Sequence, residues 1–368
     1  MNAIFDANEL IRYQRHFALA GFGPGAQEKL KRASVLVIGA GGLGCPALLY
    51  LAAAGVGRMI IVDDDRVDAS NLQRQVLFTA ADVGELKTAA AARRLAALNA
   101  NVELLPYAVR FTRQNALALA GSCDVVIDGS DNFSTRYLVN DACVIADKPF
   151  VYGAVQGFAG QLSVFNWRKG PTYRCLFPEP PPAGSVPNCA EAGVLGVLPG
   201  LIGTAQACEA IKLLTGIGRP LSGRLLLWDA LTMTTQVVTL AADPRSREIV
   251  ELPPEGYGET CVAPAGEIAE IDGAKLRAAA GKMPQLLDVR EGWERAMGSI
   301  EPSVHVPLGR LERGDATPDL AGFDPAAPTV VYCAHGVRSL RGAQLLRERH
   351  AFRSVASLRG GYEKWRRG

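Results

Sequence analysis

The chain has 368 residues, 48% of them hydrophobic and 21% charged, with a net charge of +2. That length exceeds what one small core needs, so two domains are expected. The near balance of charge argues against nucleic acid and against a basic membrane patch. Eight cysteines without a single CxxC pair read as reduced thiols, which points to the cytoplasm.

The opening MNAIFDANELIRYQRH carries acids and arginines and no apolar run, so it reads as a helix and not as a signal peptide. A strand is predicted over 34–39, running through the glycines of VLVIGAGGLG into the apolar helix CPALLYLAAAGV at 45–56. The strand RMIIVDDD at 58–65 completes a βαβ unit. A helix over 85–99, a strand near 102–108, a short helix over 112–120 and the strand DVVIDG at 124–129 follow. Then come a helix over 133–146 and the strand FVYGAV at 150–155. This alternation predicts an α/β, Rossmann-like fold with a mainly parallel sheet covered on both faces.

GQLSVFNW, GRLLLWDA and TTQVVTLA (160–167, 223–230 and 234–241) read as an antiparallel extension of that sheet. Between the first two lies PEPPPAGSVPNCAEAG (178–193), a long loop too rich in proline and glycine for regular structure. The nearly uncharged run at 192–208 contains Pro199 and four glycines, so it reads as a buried turn and helix and not as a membrane span. Residues 243–265 hold four prolines and little periodicity and are expected to link a domain over 1–242 to one over 266–368. The second domain restarts a small α/β pattern with MPQLLDVR, PTVVYC, SLRGAQLLRERH and VASLRGG.

Gly39, Gly41, Gly42 and Gly44 form a GxGxxG turn between a strand and a helix, where backbone amides and the helix dipole attract an anion. Asp63, ending the second strand, suits a ribose. To this point a nicotinamide dinucleotide fits as well as any ligand, and an NAD-dependent oxidoreductase is the alternative reading. Asn71 and Arg74 in SNLQRQVLF, Lys87 at the next helix and Asp131 after DVVIDGSDN favour another. ATP cleaved between its α and β phosphates builds charge on the leaving pyrophosphate, which cations and a carboxylate-held metal stabilise. Asp131 is the expected Mg²⁺ ligand.

The blocks RYQRHFALAGFG, GAGGLGCPALLYLAAAGVG, SNLQRQ, DGSDNFSTRYLVNDAC, KPFVYGAVQGFAGQLSVF, YRCLFPEPPP, NCAEAGVLGVLPG and AIKLLTG resemble, in order, the MoeB/ThiF adenylyltransferases, relatives of ubiquitin-activating enzymes. The resemblance covers roughly residues 9–240. It implies a homodimer that adenylates the C-terminal Gly-Gly of a small ubiquitin-like sulfur carrier protein. It places ATP at Gly41, Asp63, Asp65, Asn71, Arg74, Lys87 and Asp131, with Arg15 reaching the nucleotide of the neighbouring subunit.

The chain departs from that family at its structural zinc. Of the two usual CxxC pairs, Cys175 alone remains: Thr172 replaces its partner, and 241–249 has no cysteine. One thiolate does not hold tetrahedral zinc, so none is expected. Cys189 stands where many relatives keep a loop cysteine that attacks the acyl adenylate or resolves an acyl disulfide. A ubiquitin-type activator with a thioester at Cys189 is the second alternative. Cys45, Cys123, Cys143 and Cys208 read as core thiols.

In YCAHGVRS, Cys333 ends a strand and faces loop amides and a helix N-terminus, with Arg338 nearby; all of these favour thiolate. Four residues separate Cys333 from Arg338, one fewer than a phosphate-wrapping loop needs, which suits a single sulfur atom. LLDVREGWE, HVPLGRL and LRGGYEKW resemble the flanking motifs of a rhodanese sulfurtransferase over about 266–368. Asp288 and Arg290 are expected to pair structurally near the loop, which also holds His335, and LRGG to be a turn before the last helix. The two resemblances together imply that Cys333 carries a persulfide, loaded by a donor such as a cysteine desulfurase, to the acyl adenylate.

Overall fold

A computed structural model describes residues 4–180, 193–254, 257, 268–278 and 283–367, which leaves Cys189 outside the described residues. The chain forms two compact units. In the first, β1 (Ser34–Ile38), α4 (Gly44–Ala54) and β2 (Arg58–Val62) make the expected βαβ unit, preceded by the short helices α1 (Ala7–Arg12) and α2 (Gln14–Phe17) and by α3 (Gly23–Arg32). Next come α5 (Lys87–Leu98), β3 (Glu103–Tyr107), α6 (Arg113–Gly121), β4 (Val125–Asp128), α7 (Phe133–Ile145), β5 (Phe150–Gln156) and β6 (Ala159–Phe165). The unit continues with α8 (Tyr173–Leu176), α9 (Val197–Thr215), β7 (Arg224–Asp229) and β8 (Thr234–Thr239).

The sheet has eight strands in the order β3-β2-β1-β4-β5-β6-β7-β8, parallel from β3 to β5 and antiparallel from β6 to β8. Every residue of β1 is buried, because helices cover both faces of a central parallel strand. β1 pairs with β2 on one side and β4 on the other, so the chain leaves it in opposite directions. The crevice beyond the carboxyl end of β1 is therefore the topological switch point, where ligands settle in open α/β sheets.

α9 is the helix read from the uncharged run. It packs on α4 and on the sheet, and Gly203 lets it touch the Leu43 carbonyl, so its apolar residues serve a core. Cys208 does not follow that reading. It lies on the exposed face of α9, whereas Cys45, Cys123 and Cys143 are buried. Burial pushes Cys45 and Cys123 up to about 12, which leaves them inert as nucleophiles near neutral pH.

The first part of the stretch expected as linker is packed. Arg247 donates to Asn166 Oδ1 at 2.7 Å and to the Gly170 carbonyl at 2.6 Å. Leu252 is 3% exposed in the core, and the Tyr257 hydroxyl donates to Asp141 Oδ2 at 2.6 Å. These partners come from distant segments, and local composition does not reveal them.

The second unit contains β9 (Ala269–Ile271), α10 (Gly273–Ala278), β10 (Gln285–Asp288), α11 (Gly292–Ala296), β11 (Val304–His305) and α12 (Leu308–Arg313). β12 (Thr329–Tyr332), α13 (Val337–Arg349), β13 (Val355–Leu358) and α14 (Gly361–Arg367) complete it. Its five strands are all parallel, in the order β11-β10-β12-β13-β9. Cys333 follows the central strand β12, again at a carboxyl end.

Candidate nucleotide and sulfur-transfer sites

The glycine turn is held by contacts that leave no room for side chains. Gly39 has φ +89°, and a Cβ there would sit 2.9 Å from the Gly129 carbonyl oxygen, while one on Gly44 would collide with the Gly39 carbonyl. Gly42 lies under Pro199 and beside the Arg74 side chain, 3.1 and 3.5 Å from an added Cβ. Gly41 differs. A Cβ on it would meet only Gln75 Nε2, at an ordinary 3.9 Å, and it is absent from the positive-φ glycines. Among the described residues nothing requires glycine at 41, and the space above it would admit a ligand's close approach. Gly41→Ala is expected to melt within about 0.5 kcal/mol of the parent chain. A bound group approaching that backbone would be displaced, weakening ATP binding roughly tenfold or more, as titration calorimetry would read.

Asp63 grips the turn. Its Oδ2 accepts the Ala40 N–H at 2.7 Å and its Oδ1 accepts the Asp65 N–H at 2.8 Å. Burial raises its pKa, opposed by the charge of Lys87. Lys87 is nearly buried, with its side chain 6% exposed, and its Nζ lies 2.7 Å from Asp65 Oδ2. Asp65 is itself 68% exposed, and its carbonyl accepts the Lys87 N–H. An incoming phosphate could compete with that solvated carboxylate for the ammonium.

Arg74 is held through its backbone, where its N–H donates to the Asn71 carbonyl at 3.1 Å, and one guanidinium nitrogen reaches the Ser70 carbonyl at 3.3 Å. Arg74 has no carboxylate partner among the described residues, and its aliphatic stem rests against Gly42. Asp131 is exposed, and among the described residues its one hydrogen bond is a long 3.5 Å contact from Asn132 Nδ2. A free carboxylate at the end of β4 fits a magnesium ion completed by phosphate oxygens and water. Asp63, Arg74, Lys87 and the glycines thus lie at one crevice, with Asp131 on the loop after the adjoining strand.

Arg15 does not join the crevice of its own chain. Its neighbour Tyr13 packs its hydroxyl on Gly55, the left-handed cap of α4, and His16 bonds Gln27, which donates to the Ala54 carbonyl. Arg15 therefore sits near the carboxyl end of α4, whereas the glycines open its amino end about 16 Å away. It is exposed there.

Three polar groups beside the crevice were not expected. Asp128 is fully buried. Its Oδ1 accepts the N–H and the hydroxyl of Ser130 at 3.0 and 2.6 Å, and its Oδ2 has no partner among the described residues. Burial raises its pKa, and the Arg136 guanidinium opposes the rise. Arg136 is buried across the Phe133 and Tyr152 rings and donates to the Ser130 carbonyl at 3.4 Å. Gln75 is buried, with its Oε1 unpartnered among the described residues. The signals were present, since Asp128 lies in DVVIDG, Arg136 in FSTRY and Gln75 in SNLQRQ, but an apolar setting hides a polar residue's purpose.

Cys175 stands where the zinc of the resembled family would be bound. Its Sγ accepts the Thr172 and Asp243 N–H groups, each at 3.3 Å, and lies 3.2 Å from Ser246 Oγ. Burial disfavours the thiolate there, but these donors outweigh it and hold the thiol below its ordinary value. One sulfur among a hydroxyl and backbone amides does not fit tetrahedral zinc. Among the described residues no group of three metal-ligating side chains occurs.

In the second unit Cys333 is 1% exposed. Its Sγ accepts the Gly336 N–H at 3.1 Å and lies 3.5 Å from Ser339 Oγ. Gly336 has φ +95° and caps α13, and a Cβ there would meet the Gly360 nitrogen at 2.8 Å. LRGG is the turn between β13 and α14: the Tyr362 N–H donates to the Cys333 carbonyl at 2.7 Å and the Glu363 N–H to the Ala334 carbonyl at 3.0 Å. Asp288 and Arg290 form the expected buried pair, 2.7 Å apart. His335 is exposed on the loop. Arg338 does not bond the sulfur; both of its terminal nitrogens bond Glu294.

Comparison with known proteins agrees with both halves. The ThiF family matches residues 13–248, and the rhodanese-like domain matches residues 272–367. A sulfur carrier protein adenylyltransferase of Thermus thermophilus is 56% identical over 242 residues, 64% of this chain and 89% of that protein. A probable adenylyltransferase/sulfurtransferase, MoeZ, of Mycobacterium tuberculosis is 42% identical, covering 97% of this chain and 93% of that one. The adenylyltransferase and sulfurtransferase MOCS3-1 of Zea mays is 40% identical, covering 98% and 82%. Among solved structures, E. coli MccB with MccA-N7isoASN shares the fold, with a TM-score of 0.58 at 23% identity over 68% of this chain and 76% of that one.

Proposed function

This chain belongs to the ThiF family and carries a rhodanese-like domain, and we infer that it adenylates a sulfur carrier protein with ATP and then transfers sulfur to it. The observation that carries this reading is the crevice at the end of β1. There, among the described residues, Arg74 has no carboxylate partner, Lys87 pairs with the solvated Asp65 carboxylate, and a Cβ on Gly41 would meet nothing nearer than Gln75 Nε2 at 3.9 Å. A redox dinucleotide, the alternative reading, needs no such group of cations.

The turn amides, Arg74 and Lys87 hold the phosphates, Asp63 the ribose, and Asp65 and Asn71 keep Lys87 and Arg74 in place. Asp131 holds magnesium, which when bound offsets charge on the departing pyrophosphate. Arg15 completes the site from a second copy of the chain, as a homodimer, since its own α4 separates it from its own crevice. A carboxylate oxygen of the carrier's Gly-Gly terminus attacks the α-phosphorus, and the bond to pyrophosphate breaks, leaving an acyl adenylate. The outer sulfur of a Cys333 persulfide then attacks the acyl carbon and AMP leaves. A second thiolate, Cys189 in this reading, attacks the Cys333 sulfur of the acyl disulfide. It releases the thiocarboxylate and leaves a disulfide for a cellular thiol to reduce. A protein persulfide donor, such as a cysteine desulfurase, reloads Cys333 in the cytoplasm.

Hydrogen bonds around Cys175 join α8 to the turn at 243–246, and in this reading they take the place of a metal. The test is ATP–pyrophosphate exchange by zinc-free protein. Exchange is expected with a carrier ending in Gly-Gly and absent when the last glycine is removed. Exchange indifferent to that glycine, or stoichiometric zinc retained through purification, contradicts the respective part.

A further inference from the structure

The Cys333 loop contains one arginine, and its charge is already matched. Arg338 Nη1 and Nη2 donate to Glu294 Oε2 and Oε1 at 2.8 and 2.6 Å, with side chains 20% and 9% exposed. Burial works against a charged Glu294, but the guanidinium and the Glu291 N–H outweigh it, so the carboxyl stays below its ordinary value and ionised near neutral pH. Arg290 is bound just as fully by Asp288, and Arg359 and Lys364 are paired with Glu270 and Asp272. Among the described residues, the loop itself offers backbone N–H groups and no uncommitted guanidinium.

We propose that Glu294 sets the sulfur-donor specificity of this site: by engaging both terminal nitrogens of Arg338 it suits the loop to a cysteine persulfide and makes it a poor host for thiosulfate. The proposal rests on Cys333 being the sulfur-carrying thiol, as above. With thiosulfate, the Cys333 thiolate attacks the sulfane sulfur, the S–S bond breaks, and sulfite leaves as a dianion. With a cysteine persulfide, the same thiolate attacks the outer sulfur and a thiolate leaves with a single charge. A free guanidinium beside the sulfur helps bind and release the first donor far more than the second. Glu294 acts through Arg338, so it is a positioning residue.

The test uses the full chain. Glu294→Gln keeps the shape of the side chain and an acceptor for the Glu291 N–H but removes the charge that fixes Arg338. In thiosulfate:cyanide transfer its KM for thiosulfate is expected to fall roughly tenfold with kcat little changed. Sulfur uptake from glutathione persulfide should stay within about twofold. Adding Arg338→Gln should return the thiosulfate KM to the parent value. Glu294→Asp, too short to engage both nitrogens, should shift KM the same way and serves should the Gln variant not fold. An unchanged thiosulfate KM in the folded variants, or a gain that survives Arg338→Gln, overturns the proposal. Cys333→Ala should lose transfer from both donors. If transfer persists there, the sulfur-carrying role of Cys333 fails, an outcome distinguishable from failure of the Glu294 role.

Discussion

Cys333→Ala should leave carrier-dependent pyrophosphate exchange within about twofold of the parent enzyme while thiocarboxylate formation falls by roughly a thousandfold or more. The asymmetry follows from the division of chemistry between two sheets. In the proposed mechanism adenylation uses the groups at the end of β1, and none of them lies in the unit that holds Cys333. Sulfur transfer needs a thiolate that can be loaded and then attack, and alanine supplies no nucleophile. The structural cost is confined to the loop. The Gly336 N–H loses its sulfur acceptor in a buried setting, a penalty of about 1 kcal/mol that a melting curve would register without loss of fold. Exchange of labelled pyrophosphate and mass spectrometry of the carrier read the two steps separately. Loss of both together would mean that the thiol serves adenylation as well, and the assignment of steps to units would fall.

Asp131→Ala should do the reverse and stop the reaction at its first step, lowering pyrophosphate exchange roughly a hundredfold to a thousandfold. Its setting makes the experiment clean. The side chain is exposed and, among the described residues, is held by a single 3.5 Å contact, so its removal should leave the melting temperature unchanged. A loss of activity without a loss of stability then belongs to the chemistry. Extra magnesium should recover part of the rate if the carboxylate acts by holding the ion. Unchanged exchange would take Asp131 out of the site. The fully buried Asp128 three residues earlier, with one oxygen unpartnered among the described residues, would then be the carboxylate to examine. The contrast between the two acids is the ground for proposing Asp131 as the ligand: burial disfavours the charge on Asp128, whereas Asp131 is exposed.

The order of strands and helices in the first unit was legible because each element advertises its own periodicity. Fully buried runs such as SVLVI, bounded by glycine, mark central parallel strands. The strands after residue 159, following one another without long helices between β7 and β8, form the antiparallel extension. The glycine turn and the cysteine loop were legible for a related reason: both are local motifs in which the backbone itself makes the site. Cys208 shows where this fails. In a helix as uniformly apolar as α9, the sequence does not mark which face is outward.

By itself the sequence determined the α/β class and, through the two family resemblances, the paired activities, and its local motifs marked Gly41, Arg74, Asp131 and Cys333 as candidate site residues. Only the tertiary structure decided which charges are free. Lys87 answers to Asp65 across 22 residues and Arg338 to Glu294 across 44, while Arg15 lies a helix length from the crevice in its own chain. The physical reason is that an ion pair depends on where distant strands place their ends. That placement follows from packing of the whole sheet and leaves no periodic trace along the chain.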